Sequence, residues 1–178
     1  KLALMQPYLF PYVGYFQLLA QVDRFVFYDD VNFIKNGWIN RNRLLLQGEP
    51  RYFTVPLRDA SPFRKIRDVE VAAAAGWRRT IRESIRHAYG KAPNFVAVSA
   101  LVERVLETET TRIGELAKAS VRAVVDHLER VAEAGAGIVA DLRIPAAHPQ
   151  RGLDVAGERL HPNSGSGAMT TSTPNSSS

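Results

Sequence analysis

Two adjacent aspartates, Asp29 and Asp30, close an apolar run and are followed by Lys35, Trp38, Asn40, Arg41, Asn42 and Arg43, all within fourteen positions. A carboxylate at the end of a strand can hold a divalent cation, accept a ribose hydroxyl or take a proton as a base. It can equally do no more than cap a turn. Neighbours on an extended chain point to opposite faces, so at most one of the two faces a shared site. Lys35, Arg41 and Arg43 suit phosphate or carboxylate, the arginines through paired N–H groups. Trp38 offers a flat face to a base or sugar, and Asn40 and Asn42 add directional hydrogen bonds. Arg41 and Arg43 share one face of an extended segment and the asparagines share the other. The competing reading of 35–43 is a solvated hairpin connection anchored by a buried tryptophan.

The elements around this stretch decide where it stands. LALM (2–5) reads as a short buried strand ended by Gln6-Pro7. YLFPYVGY (8–15) carries the prolines and glycine of a constrained turn. YFQLLAQVD (15–23) has the spacing of a short one-faced helix, and RFVFYD (24–29) reads as a second strand. The sum is a βαβ unit, parallel and right-handed by default, with Asp29 and Asp30 at the carboxyl end of its second strand. The loop from Gln6 to Tyr15 occupies the slot of a phosphate-binding loop before a helix N-terminus, which makes Gln6, Tyr12, Gly14 and Tyr15 candidate binding residues. It is neither GxGxxG nor a Walker loop. Tyr12-Val13-Gly14-Tyr15 sits where nucleotidyltransferases of similar layout carry His-x-Gly-His, a likeness of position only.

Downstream, LLLQ (44–47) and RYFTVPL (51–57) flank Gly48-Glu49-Pro50 as a hairpin, and the alternation in IRDVEVA (66–72) predicts a further strand. Helical spacing begins at Trp77 and runs to a C-cap at Gly90. Two more helices are expected near 94–107 and 112–132, the last N-capped by Thr111. The fold class is therefore α/β: a βαβ start on a mixed sheet with a β-hairpin, followed by a packed helical segment. GAGIVADLRI (135–144) reads as a small β segment, and the Ser/Thr/Gly-rich end as disordered. The expected division is a domain over 1–145 and a tail over 146–178.

Charge and composition narrow the function. Residues 1–95 hold 15 Lys/Arg against 8 Asp/Glu, while the rest hold 8 against 10, so the basic first half points to an anionic partner. All sixteen aromatic residues lie between Tyr8 and Phe95. The absence of cysteine excludes a disulfide framework, a thiolate metal site and a thiol nucleophile. No apolar run is long enough to span a bilayer, and the first residues lack the apolar core of a secretory signal, so a cytoplasmic protein without membrane insertion is expected. The positive charge is spread over several elements without an RNP or helix-turn-helix pattern, which argues against nucleic acid. The arginines at 78–86 read as a solvated helix face, and His87 and His127 as lone surface or packing residues. No HExxH or nucleophile elbow is present.

MQPYLFPYVGYFQLL, DRFVFYDDVNFIKNGWINRNRLLLQGEPRYFTVPL and WRRTIRESIRHAYGKAPNF together resemble the WbqC-like family, a bacterial group named for a gene of O-antigen and other surface-polysaccharide clusters. The likeness covers roughly residues 2–130. It implies a cytoplasmic protein acting on an activated sugar or another glycan precursor, in association with other glycan-biosynthesis enzymes. Carried over by position, the family signature falls on Gln6, Pro7, Pro11, Gly14, Tyr15, Tyr28, Asp29, Asp30, Lys35, Trp38, Asn40, Arg41, Asn42 and Arg43. Past about residue 145 the sequence departs from the family's second helical and strand portion. This departure, with Lys1 in place of a methionine, suggests a fragment whose end is not a native continuation.

The expectation is a group-transfer enzyme acting on a nucleotide-linked sugar or a related anionic precursor. Asp29 or Asp30 would serve as base, or as ligand to a divalent cation if one is used. Lys35, Arg41 and Arg43 would take phosphate or carboxylate, Trp38 would stack on a ring, and the 6–15 loop would close over the ligand. The alternatives are a non-catalytic nucleotide-sugar or partner-protein module and, third, a nucleic-acid-binding domain.

Overall fold

The computed structural model describes residues 1–134, so the readings made for 135–178 lie outside the described residues. The chain opens with β1 (Leu2–Met5), α1 (Val13–Ala20) and β2 (Arg24–Phe27), and β1 pairs with β2 in parallel, Leu2 opposite Arg24 and Met5 opposite Phe27. This is the expected βαβ start. β3 (Arg41–Leu46) and β4 (Glu49–Thr54) form an antiparallel hairpin, and β5 (Leu57–Arg58) pairs with β6 (Glu70–Val71). Three helices follow: α2 (Trp77–Tyr89), α3 (Phe95–Leu106) and α4 (Ile113–Ala134). The class is α/β. Among the described residues, however, the strands form three separate two-stranded ladders rather than one mixed sheet. The irregular 28–40 segment leads the chain away from β2 before the hairpin begins.

Four local readings are corrected. The hairpin turns at Gln47 and Gly48, both at positive φ as a two-residue primed turn requires, so Glu49 and Pro50 belong to β4. β3 also starts earlier than the apolar run suggested and takes in Arg41, Asn42 and Arg43. At 66–72 the chain forms a 3₁₀ turn, Ile66–Asp68, before the two residues of β6. Ile66 and Val69 are both fully buried, and a spacing of three puts them on one side of such a turn, where a strand would have separated them. Finally, α4 begins at Ile113, and the N–H of Arg112 donates to the hydroxyl of Thr110 at 3.1 Å, so Thr111 is not the capping side chain.

The core has two parts, and α4 reaches both. The larger gathers Leu9, Phe33, Ile39, Val55 and Ile66 with the inner faces of α2, α3 and α4, including Trp77, Ile81, Leu101, Val105, Ile113 and Leu116. The smaller joins Ala3, Tyr15, Val22 and Phe25 of the βαβ unit to Val121, with Val125 packed against it. Val121 is fully buried, and at about 25 cal/mol per Å² burial of a valine side chain contributes roughly 1.5–2 kcal/mol. Of the four arginines of α2, Arg79 and Arg86 are exposed as the solvated-face reading expects, while Arg78 and Arg82 are fastened to α3. Arg78 Nε donates to the Leu106 carbonyl at 2.7 Å, and Arg82 Nε meets Glu103 Oε2 at 2.6 Å. Among the described residues, no helix is long and apolar enough to cross a membrane.

Candidate functional site

The 6–15 loop is held in an unusual conformation by residues far along the chain. Phe10 adopts φ +49°, a left-handed backbone that disfavours a bulky side chain. Its N–H donates to Ser120 Oγ at 2.9 Å. Its carbonyl accepts from Asn42 Nδ2, which also reaches the Leu9 carbonyl at 2.9 Å. The Leu9 N–H donates to the Trp38 carbonyl at 3.0 Å. The loop is thus tied to β3, to the 35–40 segment and to α4, and its backbone strain is sustained by these bonds. Within it, Gln6 is half-buried and its carbonyl accepts from the Tyr15 hydroxyl at 3.0 Å. Tyr15 lies in the smaller core, where burial and the nearby Tyr8 push its hydroxyl well above the usual tyrosine range. Tyr12 is exposed, and its ring lies over Gly14 in the first turn of α1.

Asp29 and Asp30 part company. Asp29 turns inward to α4, where Lys118 Nζ lies 2.7 Å from its Oδ2 and 2.8 Å from Glu115 Oε1. Lys118 is buried, which by itself lowers an ammonium pKa, but the hydrogen bonds and charges of Asp29 and Glu115 outweigh burial and hold it above the ordinary lysine value. Asp30 is exposed and bonded to Lys65, with Arg67 Nη2 at 3.2 Å. The Lys65 bond, seconded by the Arg67 charge, holds its carboxyl below the usual carboxylate range. The Lys65 and Arg67 side chains come from the segment that zips onto 29–33, where Arg67 N–H donates to the Asp29 carbonyl and Ile66 N–H to that of Val31. Among the described residues, no group of three or more His, Asp or Glu side chains gathers as a cation cage would require.

The 35–43 segment forms a turn and then the start of β3. Gly37 N–H closes the turn on the Ile34 carbonyl at 3.1 Å, with Asn36 at φ +63°. Arg41 caps it: Nε donates to the Gly37 carbonyl at 3.2 Å and Nη2 to that of Asn36. Its guanidinium lies 4.8 Å from the centre of the Tyr52 ring, Tyr52 stacks on Trp38 at 6.3 Å, and Arg43 lies 5.2 Å from the Trp38 ring. The result is a ladder, Arg41–Tyr52–Trp38–Arg43, on the half-exposed side of the hairpin. Tyr52 was not singled out by sequence, although its position opposite Arg43 across the hairpin is the kind of pairing that brings rings and cations together. Asn40 is buried and exchanges bonds with Val55: its Nδ2 donates to the Val55 carbonyl at 2.9 Å and its own carbonyl accepts the Val55 N–H at 2.8 Å.

A groove of about 330 Å³ runs beside the turn, lined by Lys35, Asn36, Asn40 and Arg41 over Phe33, Val55, Pro56 and Leu57. Lys35 and Arg41 therefore share a cavity with an apolar floor, while Asp29 and Asp30 are not among its lining residues. A wider depression of about 680 Å³, bounded by Arg78, Glu107 and the threonines 108, 110 and 111, contains none of the signature positions.

Residues 6–151 match the WbqC-like protein family. The chain belongs to that family. The match takes in the strained loop, both aspartates and the whole Lys35–Arg43 segment. A protein of Mycobacterium tuberculosis (strain ATCC 25618 / H37Rv), the uncharacterized Rv1507c, is 29% identical over 130 residues, which is 72% of this chain and 56% of the relative. The WbqC-like chain thus spans little more than half of that relative's length. No solved structure matches it.

Two further side chains belong to the same region. Lys118 and Arg122 of α4 face the end of β2, the first on Asp29 and the second with its guanidinium 5.9 Å from the Phe27 ring. Ile113, Leu116, Ala117, Ser120, Val121, Val124 and Leu128 form one apolar stripe along α4, and Lys118 and Arg122 lie at its edge, next to Val121. The signal for this edge was present in Lys118, Val121, Arg122 and Val125, spaced three, four and seven apart.

Proposed function

We propose that this WbqC-like chain serves bacterial surface-glycan synthesis as a group-transfer enzyme on an activated sugar, binding the anionic end of that precursor in the groove beside the 34–37 turn. The observation that carries this reading is the shared lining of Lys35 and Arg41 over an apolar floor in about 330 Å³, at the lower end of the size range of small-molecule sites. Arg41 is fixed by its bonds to Asn36 and Gly37, so little side-chain freedom remains to be lost when an anion arrives. The exposed edge of the Arg41–Tyr52–Trp38–Arg43 ladder offers a ring face beside it. Asp29, held by Lys118, is the candidate general base toward the acceptor. A divalent cation carried by the phosphates is compatible with this reading but is not required by it.

A second reading rests on the ion pairs of both aspartates: with each carboxylate occupied by lysine, the chain would bind a nucleotide sugar or hold a partner enzyme without chemistry of its own. Thermal melts of the chain with nucleotides, nucleotide sugars and acyl-CoA, with and without Mg²⁺, test the shared premise. A ligand at about 100 times its dissociation constant adds about 2.7 kcal/mol. One ligand class is expected to raise the melt, and Lys35→Ala or Arg41→Ala to weaken its binding at least tenfold. With that ligand in hand, Asp29→Asn separates the readings. Lost turnover with binding intact supports the enzyme, and binding without turnover in the native chain supports the module. A melt shifted equally in the native chain and in both groove variants would remove the groove from consideration.

A further inference from the structure

We infer that Arg122, standing over the carboxyl end of β2, forms a subsite for a phosphoryl group separate from the Lys35–Arg41 groove. Nη2 of Arg122 is fully buried and has no hydrogen-bond partner. Among the described residues the guanidinium takes part in no ion pair, and even Asp126, one turn further along α4 and so a natural partner, does not engage it. The guanidinium lies 5.9 Å from the centre of the Phe27 ring, and among the described residues no carboxylate forms an ion pair with it. A guanidinium donor removed from water and left unpaired carries the whole of its desolvation penalty. Such an unmet donor marks a place where a ligand oxygen would be strongly favoured.

The surroundings identify the ligand. Asp29 and Phe27 stand two apart at the end of β2 and both turn toward α4, where Lys118 meets the first and Arg122 the second. The carboxyl ends of parallel strands are where α/β folds take their ligands. Asp29 and Glu115 both turn to Lys118, so the cluster is neutral overall once Arg122 is counted, yet neither carboxylate is bonded to Arg122 and its buried Nη2 keeps an unmet donor. A phosphoryl group matches the planar fork of a guanidinium through two parallel bonds and carries more charge than a carboxylate. Gln6 and Tyr28, the residues that directly follow β1 and β2, are half-exposed and exposed, so solvent reaches the strand ends.

The test uses the full chain with inorganic pyrophosphate at constant ionic strength, followed by thermal melting. The native melting temperature is expected to rise with pyrophosphate. Arg122→Leu should melt cooperatively at or above the native temperature in its absence, because an unpaired buried charge has been removed, and should lose part of the pyrophosphate response. Lys35→Ala, which weakens the groove, should keep the part that Arg122→Leu removes, and the double variant should keep neither. Three results overturn the inference: Arg122→Leu melting lower with its response intact, which makes the guanidinium a structural group paired within the chain; loss of the response in Lys35→Ala alone, which assigns the anion to the groove; and malonate acting as strongly as pyrophosphate. If Arg122→Leu does not melt cooperatively, Arg122→Lys decides. It keeps the charge without the fork, so pyrophosphate affinity at least tenfold weaker supports the subsite and unchanged affinity sinks it. Failure here leaves the groove reading standing, since each rests on a different cation.

Discussion

Lys118 Nζ lies 2.7 Å from Asp29 Oδ2, so an ammonium with 6% of its side chain exposed is locked onto the carboxylate that follows β2. This pair joins the βαβ unit to the longest helix of the described chain. It also fixes which of the two aspartates faces inward, a choice that adjacency alone left open. Asp30, turned outward, is neutralised by cations of the 64–67 segment instead.

Replacing Lys118 by methionine keeps its length and removes its charge. Asp29, 20% exposed, then faces apolar surface without a partner, while Glu115, 47% exposed, regains water. Loss of one partner of a fully buried pair costs about 3–5 kcal/mol, and the solvent access of both acids reduces the expected loss here to about 2–3 kcal/mol. The pH dependence gives an independent check. The folded-state pKa of Lys118 is raised, so its contribution is fully present below the ordinary value of 10.5 and is lost as pH climbs through the higher folded value. Urea unfolding should therefore show a steeper alkaline decline in the native chain than in Lys118→Met, which keeps only the decline that the raised Tyr15 hydroxyl contributes above its ordinary value. A loss under about 0.5 kcal/mol at pH 7, typical of a surface pair, would contradict the role given to this contact.

Much of the frame was legible in the sequence. LALM and RFVF were readable as strands because each is a short apolar run bounded by turn or polar residues, and α2 because Trp77, Ile81 and Ile85 recur at helical spacing and are all buried. The signature positions were legible as a group, but their division of labour was not. Asn40 and Asn42 spend their amides on Val55, Leu9 and Phe10, and Tyr15 serves the core. Those uses depend on which backbone carbonyl arrives opposite, and sequence spacing does not report that. Ile66 and Val69 were misread because an apolar pair three apart inside an alternating stretch fits a strand as well as a single 3₁₀ turn. Lys118 and Arg122 were passed over because a cation beside an apolar stripe ordinarily faces water. Here the stripe has a second side, packed on the βαβ unit.

The Arg41–Tyr52 contact predicts a measurable coupling. The guanidinium lies 4.8 Å from the ring centre, and Tyr52 is 55% exposed, which places the interaction near the lower end of the cation–π range, about 0.5–1 kcal/mol. A double-mutant cycle of Arg41→Met and Tyr52→Leu, read by urea unfolding, should return a coupling of that size. The same cycle read by ligand affinity should show Tyr52→Leu weakening binding through Arg41. If Tyr52→Leu leaves affinity unchanged in the presence of Arg41 while Arg41→Met lowers it, the ladder is a surface decoration and the groove acts without it.

The strained loop gives the sharpest structural test. Phe10 keeps φ +49° while its N–H is bound by Ser120 Oγ at 2.9 Å and its carbonyl by Asn42 Nδ2. Ser120 is fully buried and also donates to the Ala117 carbonyl at 2.7 Å. Ser120→Ala leaves the Phe10 N–H without its acceptor, and Asn42→Ala frees the carbonyls of Leu9 and Phe10, so each should cost about 1–3 kcal/mol. The two bonds restrain the same residue, so breaking one lets Phe10 relax out of the left-handed region and removes much of the benefit of the other. The double variant should therefore lose less than the sum of the single losses, by about 0.5–3 kcal/mol, the range typical of coupled neighbours. Additive losses would show that the two bonds act on separate parts of the loop. Strain at Phe10 would then have no part in holding the loop over the ends of β1 and β2.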